Sequence, residues 1–378
     1  MSAFTGILTA SSFSRSLPFI GWTQQPSASV SPGQFDIQKV TTDIYFAQAR
    51  PWALANSNAA IFVNSSDVLV VDSHCHPVAA DVLISQIKRE VTPKTVRWLV
   101  NTHFHWDHTQ GNRAYLATGH KVDILASNTT RQLMSQLLVP RLRAALDPAS
   151  LGPRGSQQVA EQLGDLRQRV SKTTSETEKG ALLERIAQLE SFASEMKDFE
   201  PTLPTITFEK AYEIREKDHE LHLQFHGLGH TAGDIVVFCP QKRVIVTGDL
   251  HNPRFPGFID SYPQRWQKAV ESISTLEFDY ILPGHGPVEH DRRGLIGRRN
   301  FIEEMTERVI AGKRAGQSVA DLQRTITAAS LKSLRSGDFA PADTPEAVAT
   351  GIEESIDNMY DRVEKISYTG SEPVRLRA

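Results

Sequence analysis

Apolar positions in this chain follow two rhythms. Short runs that alternate or are continuously apolar mark strands: Phe35–Val40, Asp43–Ala47, Ala59–Val63, Asp67–Asp72, Val96–Val100, Lys121–Leu125, Thr205–Phe208, Glu220–Phe225, Ile235–Phe238, Val244–Asp249 and Tyr280–Leu282. The third and fourth runs read as a hairpin turning at Asn64, Ser65 and Ser66. Helical spacing first shows in Leu83, Ile87 and Val91, and Pro93 stops it. A second helix is expected to begin near Thr109. Between residues 128 and 200 the rhythm is helical throughout. Val159, Leu163, Leu166 and Val170 form one stripe, and Leu183, Ile186, Leu189, Phe192 and Met196 another, with a polar turn at 172–176. Helical spacing returns in Ile302, Met305 and Val309, and again in Ile352, Ile356, Met359 and Val363.

This order predicts a layered α/β body over residues 35–290, with a helical hairpin inserted at about 128–200 and a helical extension over 291–378. The hairpin would pack on the body, wall a substrate pocket or make a dimer contact. Residues 1–34 contain no Asp or Glu and are expected to be a disordered tail or a weak signal-like segment, which leaves cytoplasmic and exported locations both open. With 40% hydrophobic and 22% charged residues the composition is that of a soluble globular protein. A net charge of −3 supplies no basic field, so nucleic acid is not an expected partner. Two cysteines, Cys75 and Cys239, rule out a disulfide framework, and no run of 18 apolar residues predicts a membrane span.

Chemistry concentrates directly after the strand Val96–Val100. The stretch His103-Phe104-His105-Trp106-Asp107-His108 places four metal-binding side chains within six residues. Imidazole and carboxylate suit zinc and similar divalent ions. On an extended backbone His103 and His105 point the same way and face one ion, whereas the adjacent Asp107 and His108 diverge and serve a second. Three more donors, His230, Asp249 and His285, each end an apolar strand or sit in a glycine-rich turn. Seven donors exceed what one tetrahedral ion takes and suit a pair of ions sharing a carboxylate, for which Asp249 is the natural choice.

Four motifs in this order, H-x-H-x-D-H, G-H-T-x-G-D, T-G-D and P-G-H-G, resemble the metallo-β-lactamase-fold superfamily over roughly residues 35–290, the insertion excepted. The resemblance implies an αββα sandwich with the metals at its edge. It implies His103, His105 and His230 on one ion, Asp107, His108 and His285 on the other, and Asp249 between them. Asp72 matches an acidic position that supports ligands rather than binding metal. The implied activity is attack by a hydroxide, generated between the cations, on the carbonyl of an ester-like bond in a small molecule, with Asp107 orienting it or passing its proton on.

A carboxylate at Asp249 is similar to glyoxalase II-like and lactonase-like members. Lactones, thioesters and esters are therefore expected ahead of β-lactams. An iron-dependent persulfide dioxygenase is the alternative from another class, and a non-catalytic binding protein the third. Zinc is the expected metal, with iron and manganese open. Outside the seven, His222 and His226 read as strand residues. His74 and His76 are candidates for a place near the site, and His251, Arg254 and Tyr262 for contact with substrate.

Overall fold

A computed structural model of the protein describes residues 34–50, 53–146 and 156–363. The expectation for 1–34 falls, apart from Gln34, outside the described residues. Among the described residues, twelve strands form two sheets. The first holds β1 (Phe35–Thr41), β2 (Ile44–Ala49), β3 (Ala59–Val63), β4 (Val68–Val71), β5 (Val96–Val100), β6 (Asp123–Ser127) and β7 (Ile206–Phe208), adjacent in chain order. Pairing is antiparallel from β1 to β4 and parallel from β4 to β7. The second holds β8 (Ala211–Arg215), β9 (Glu220–Gln224), β10 (Val236–Cys239), β11 (Val244–Gly248) and β12 (Tyr280–Pro283) in the order β12-β11-β10-β9-β8. Only β11 and β12 run parallel there.

The layers follow from which faces are apolar. Between the sheets lie Phe46, Phe62, Leu69, Val71 and Val100 from one, and Leu221, Leu223, Val237, Val246 and Leu282 from the other. The outer face of the first sheet buries Ile61, Val70 and Leu99 against Leu83 and Ile87. The outer face of the second buries Val236, Ile245 and Ile281 against Trp266, Phe301, Met305, Ile352 and Ile356. Strands with both faces covered read as continuous apolar runs, as β4 and β11 do. Truncating one such side chain, Leu69→Ala for instance, costs about 2–5 kcal/mol. The result is the αββα sandwich.

Helices Ser156–Lys172 and Glu176–Met196 form the hairpin between β6 and β7, preceded by Asn128–Leu133, a π-helical turn Met134–Leu138 and Val139–Leu146. Ser175 caps the second arm by accepting from Glu178 N. His76 ties that arm to the body: its Nδ1 lies 2.8 Å from a Glu195 carboxylate oxygen and its Nε2 2.9 Å from the Leu54 carbonyl.

Three local expectations change. The helix expected near Thr109 starts at Asn112, as Asn112–Leu116, and a helical turn, Trp106–Thr109, precedes it inside the histidine motif. Leu183 is 48% exposed while Leu182 is buried, because three successive steps of three drift off one helix face and a step of four from 182 to 186 restores it. Strand β8 has no counterpart in the sequence reading: only Ile214 of its five residues is buried, so it carries no apolar run.

Candidate metal centre

Each donor follows the carboxyl end of a strand or a turn between strands. Asp72 follows β4 and the 101–108 loop follows β5, its parallel neighbour. Asp249 follows β11 and His285 follows β12, again parallel neighbours. His230 lies between β9 and β10. Parallel pairing puts these ends at the same edge of each sheet, and stacking the sheets brings the two edges together. Glycine permits the approach: Gly248 has φ +51°, and a Cβ there would stand 2.5 Å from Thr102 Oγ1. A Cβ on Gly284 would stand 2.4 Å from Asp249 Oδ1 and 2.9 Å from His108 Cε1. The carboxylate that organises the edge, Asp72, is itself held at φ 68°, uncommon for a residue other than glycine.

All seven sequence-predicted donors come together. His103, His105 and His230 form one set, Asp107, His108 and His285 a second, and His103, His108 and Asp249 an overlapping third, each with donor atoms within 4.8 Å of one another. His105 Nδ1 lies 3.1 Å from His103 Nε2 and 2.9 Å from His230 Nε2. Asp249 Oδ2 lies 3.2 Å from His285 Nε2 and 3.6 Å from His230 Nε2, so this carboxylate faces both sets. Asp107 Oδ2 stands 3.3 Å from His285 Nε2 and 3.6 Å from His108 Nε2.

The neighbours fix where the ring protons sit. Thr102 Oγ1 spends its hydrogen on Asp72, at 2.9 Å, so it accepts from His103 Nδ1–H at 3.0 Å. His105 donates Nε2–H to Asp260 Oδ2 at 2.9 Å. His108 donates Nδ1–H to Asp72 Oδ2 at 2.7 Å, and His285 donates Nδ1–H to the Asn56 carbonyl at 2.9 Å. In each ring the other nitrogen faces the centre, a lone pair whenever the imidazole is neutral. His108 Nε2 is buried with no hydrogen-bond partner among the described residues. Lone pairs and carboxylate oxygens thus confront one another at about 3 Å, an arrangement that requires positive charge between them. Nitrogens at 2.0–2.1 Å from one zinc would stand about 3.3 Å apart. The donor set fits a pair of divalent ions.

Electrostatics agree. Burial disfavours charge on His103 and His230 and, with the neighbouring imidazoles, holds His103 well below the usual histidine range and His230 down to about 3. Neutral imidazole is the form that binds metal. At His108 burial acts the same way, but Asp107, Asp72 and Asp249 outweigh it and push the group up to about 10. Burial would raise the Asp107 and Asp249 carboxyls, yet the imidazoles His108 and His285 hold both below the usual carboxylate range. The carboxylates draw positive charge into this pocket. A proton on His108 supplies it in one way, a divalent ion in another.

Several residues that hold the donors carried no sequence signal. Asn56 donates Nδ2–H to Asp107 Oδ2 at 2.9 Å. Asn252 donates to Asp249 Oδ1 at 3.1 Å. Arg298, 1% exposed, reaches back from the helix Arg293–Arg314 to the carbonyls of Asn252 and Arg254. Asp260 receives both Arg141 and His105. Their types are common and their separations in sequence long, so only the fold brings them in. Among the other candidates, His74 is fully buried against Ser57, and burial lowers it to about 3. His251 turns to Glu289 at 3.0 Å, His226 to Ser272 at 2.9 Å and His222 to Glu220 at 3.2 Å. None of these four belongs to the converging sets.

A family model described as the metallo-beta-lactamase superfamily matches residues 53–285, and the chain belongs to that superfamily. Among solved structures, a metallo-beta-lactamase from Pontibacter korlensis is similar at 18% identity and a TM-score of 0.49, over 71% of this chain and 99% of that one. No curated protein matches the chain. No described helix is long and apolar enough to cross a membrane.

Proposed function

We propose that this protein is a dinuclear metal-dependent hydrolase of ester-like bonds in small molecules, with zinc as its working metal. One observation carries the reading: seven donors drawn from both sheets converge as two sets of three with Asp249 facing both. His103, His105 and His230 would hold one ion and Asp107, His108 and His285 the other. Two divalent ions so held would lower the pKa of water and polarise a carbonyl, so that neutral-pH hydrolysis would need no strong base from the protein.

The chain's own groups do the rest. Asp72 and Thr102 keep the lone pairs of His108 and His103 aimed inward. Asn56 fixes Asp107 through Oδ2, and among the described residues no hydrogen bond engages Oδ1. Oδ1 is the atom that takes a proton from the attacking water and returns it to the leaving atom. Trp106, between the two halves of the motif and 43% exposed, offers an apolar surface for the acyl part of a substrate.

The test is metal content of the freshly purified protein together with turnover of lactone, thioester, ester and β-lactam panels. Two zinc ions per chain and turnover of lactones or thioesters are expected. Turnover of β-lactams alone would make it a true β-lactamase. One iron per chain with oxygen uptake on a persulfide would replace hydrolysis with oxygenation.

A further inference from the structure

Arg141 comes from the inserted helix Val139–Leu146, outside the strands and turns that carry the seven donors, and it reaches one of them at second hand. Its guanidinium grips Asp260 with both nitrogens, Nη1 to Oδ2 and Nη2 to Oδ1, each at 2.8 Å. Asp260 Oδ2 in turn accepts from His105 Nε2–H at 2.9 Å. Both oxygens of a carboxylate only 11% exposed are therefore engaged, and the ring they fix presents Nδ1 to His103 and His230. The same guanidinium lies 5.4 Å from the centre of the Phe104 ring, the residue between His103 and His105. Phe104 packs on Leu133, Met134, Leu137 and Leu138, the turns that lead into the inserted helix. The next residue, Leu142, packs with Phe192 and Met196 of the second hairpin arm and with Leu54. The helix is anchored on both sides, and Arg141 is the group it delivers to the centre.

We infer that the insertion sets the metal affinity of the three-histidine half, with Arg141 a positioning residue that acts through Asp260 on His105; this rests on the metal-centre reading above. The chemistry favours arginine: a planar fork holds a carboxylate in one orientation, which a lysine ammonium does not. Without the fork, Asp260 keeps a single donor in a confined place, and the orientation of the His105 ring is no longer imposed from outside. Partners of this kind are worth 10–100-fold in metal affinity.

The test loads metal-free full-length protein with cobalt(II) and measures affinity by competition with a chelator, alongside the visible absorption bands. Arg141→Ala is expected to weaken one of the two ions by roughly 10-fold or more and to shift the bands, leaving the other ion unchanged. Asp260→Asn, which keeps the side-chain shape, is expected to match or exceed it and reads the same coupling should Arg141→Ala fail to fold. Arg141→Lys should recover part of the affinity. Arg167→Ala, in an exposed pair with Glu190 on the same insertion, should change nothing. Two ions bound by the parent protein, with affinity and bands unaltered in Arg141→Ala and Asp260→Asn, would overturn the coupling alone. A parent protein that binds no cobalt would overturn the metal-centre reading and this inference with it.

Discussion

His103 and His230 are held as neutral imidazoles, whereas Asp107, His108 and His285 meet around charge. The two halves of the centre share an edge of the sandwich and one carboxylate, yet their surroundings differ. In the three-histidine half, Thr102 holds His103, and Asp260 holds His105 with Arg141 of the insertion behind it. The carboxylate half is braced from within, by Asp72 at the end of β4 and by Asn56. At His103 and His230 a proton is hard to add, and at His108 and His285 one is hard to remove. A metal ion therefore enters the first at little cost in protons and must displace one from the second.

Removing what the halves share should have the largest effect. Asp249→Ala is expected to abolish tight binding of both ions and to lower activity by ~10³-fold or more, several kcal/mol of transition-state stabilisation. Steady-state kinetics with metal analysis checks it, and a variant that keeps both ions would break the comparison at its root. Next come the halves taken singly. His285→Ala should leave about one ion per chain, bound by the three histidines, and His230→Ala about one ion bound by the other set. Loss of both ions in either variant would mean that the halves do not load independently.

A smaller effect is expected from Asn56→Ala, which leaves the Asn56 carbonyl on His285 but strips Asp107 Oδ2 of its donor. Affinity at the carboxylate half should fall about 10-fold and the other half should be indifferent. Chelator competition with the two ions resolved separates these outcomes.

The mildest probe is pH, applied to metal-free protein by thermal melting. His108 stands near 10 in the folded chain against an ordinary 6.5. Its contribution is fully present below pH 6.5 and is lost as pH rises through about 10. His230 stands near 3. Its contribution is present above pH 6.5 and is lost as pH falls toward 3, and buried His74 acts in the same direction. Bound metal requires both imidazoles neutral, so it should flatten the alkaline limb. An alkaline limb that persists with metal bound would place the His108 proton elsewhere.

Much of the centre was legible in the chain. The H-x-H-x-D-H stretch and the donors after β11 and β12 stand at the ends of apolar runs, and such runs end where a sheet edge begins. What escaped were the groups that orient the donors. Asp260 lies 155 residues from the ring it holds and Arg141 lies 119 residues from Asp260, with neither carrying a periodic or compositional mark. Leu183 misled for a related reason: spacing marks a helix face to within one residue, and packing chooses between Leu182 and Leu183.

The sequence by itself determined eleven of the twelve described strands, the layered α/β class and seven candidate donors, because alternation, apolar runs and ligand chemistry are local properties. Only the tertiary structure decided which nitrogen of each ring faces inward, which groups orient it and which donors carry charge. Those depend on distances of about 3 Å and on burial, and both are set by parallel strand ends brought to one edge when the two sheets stack.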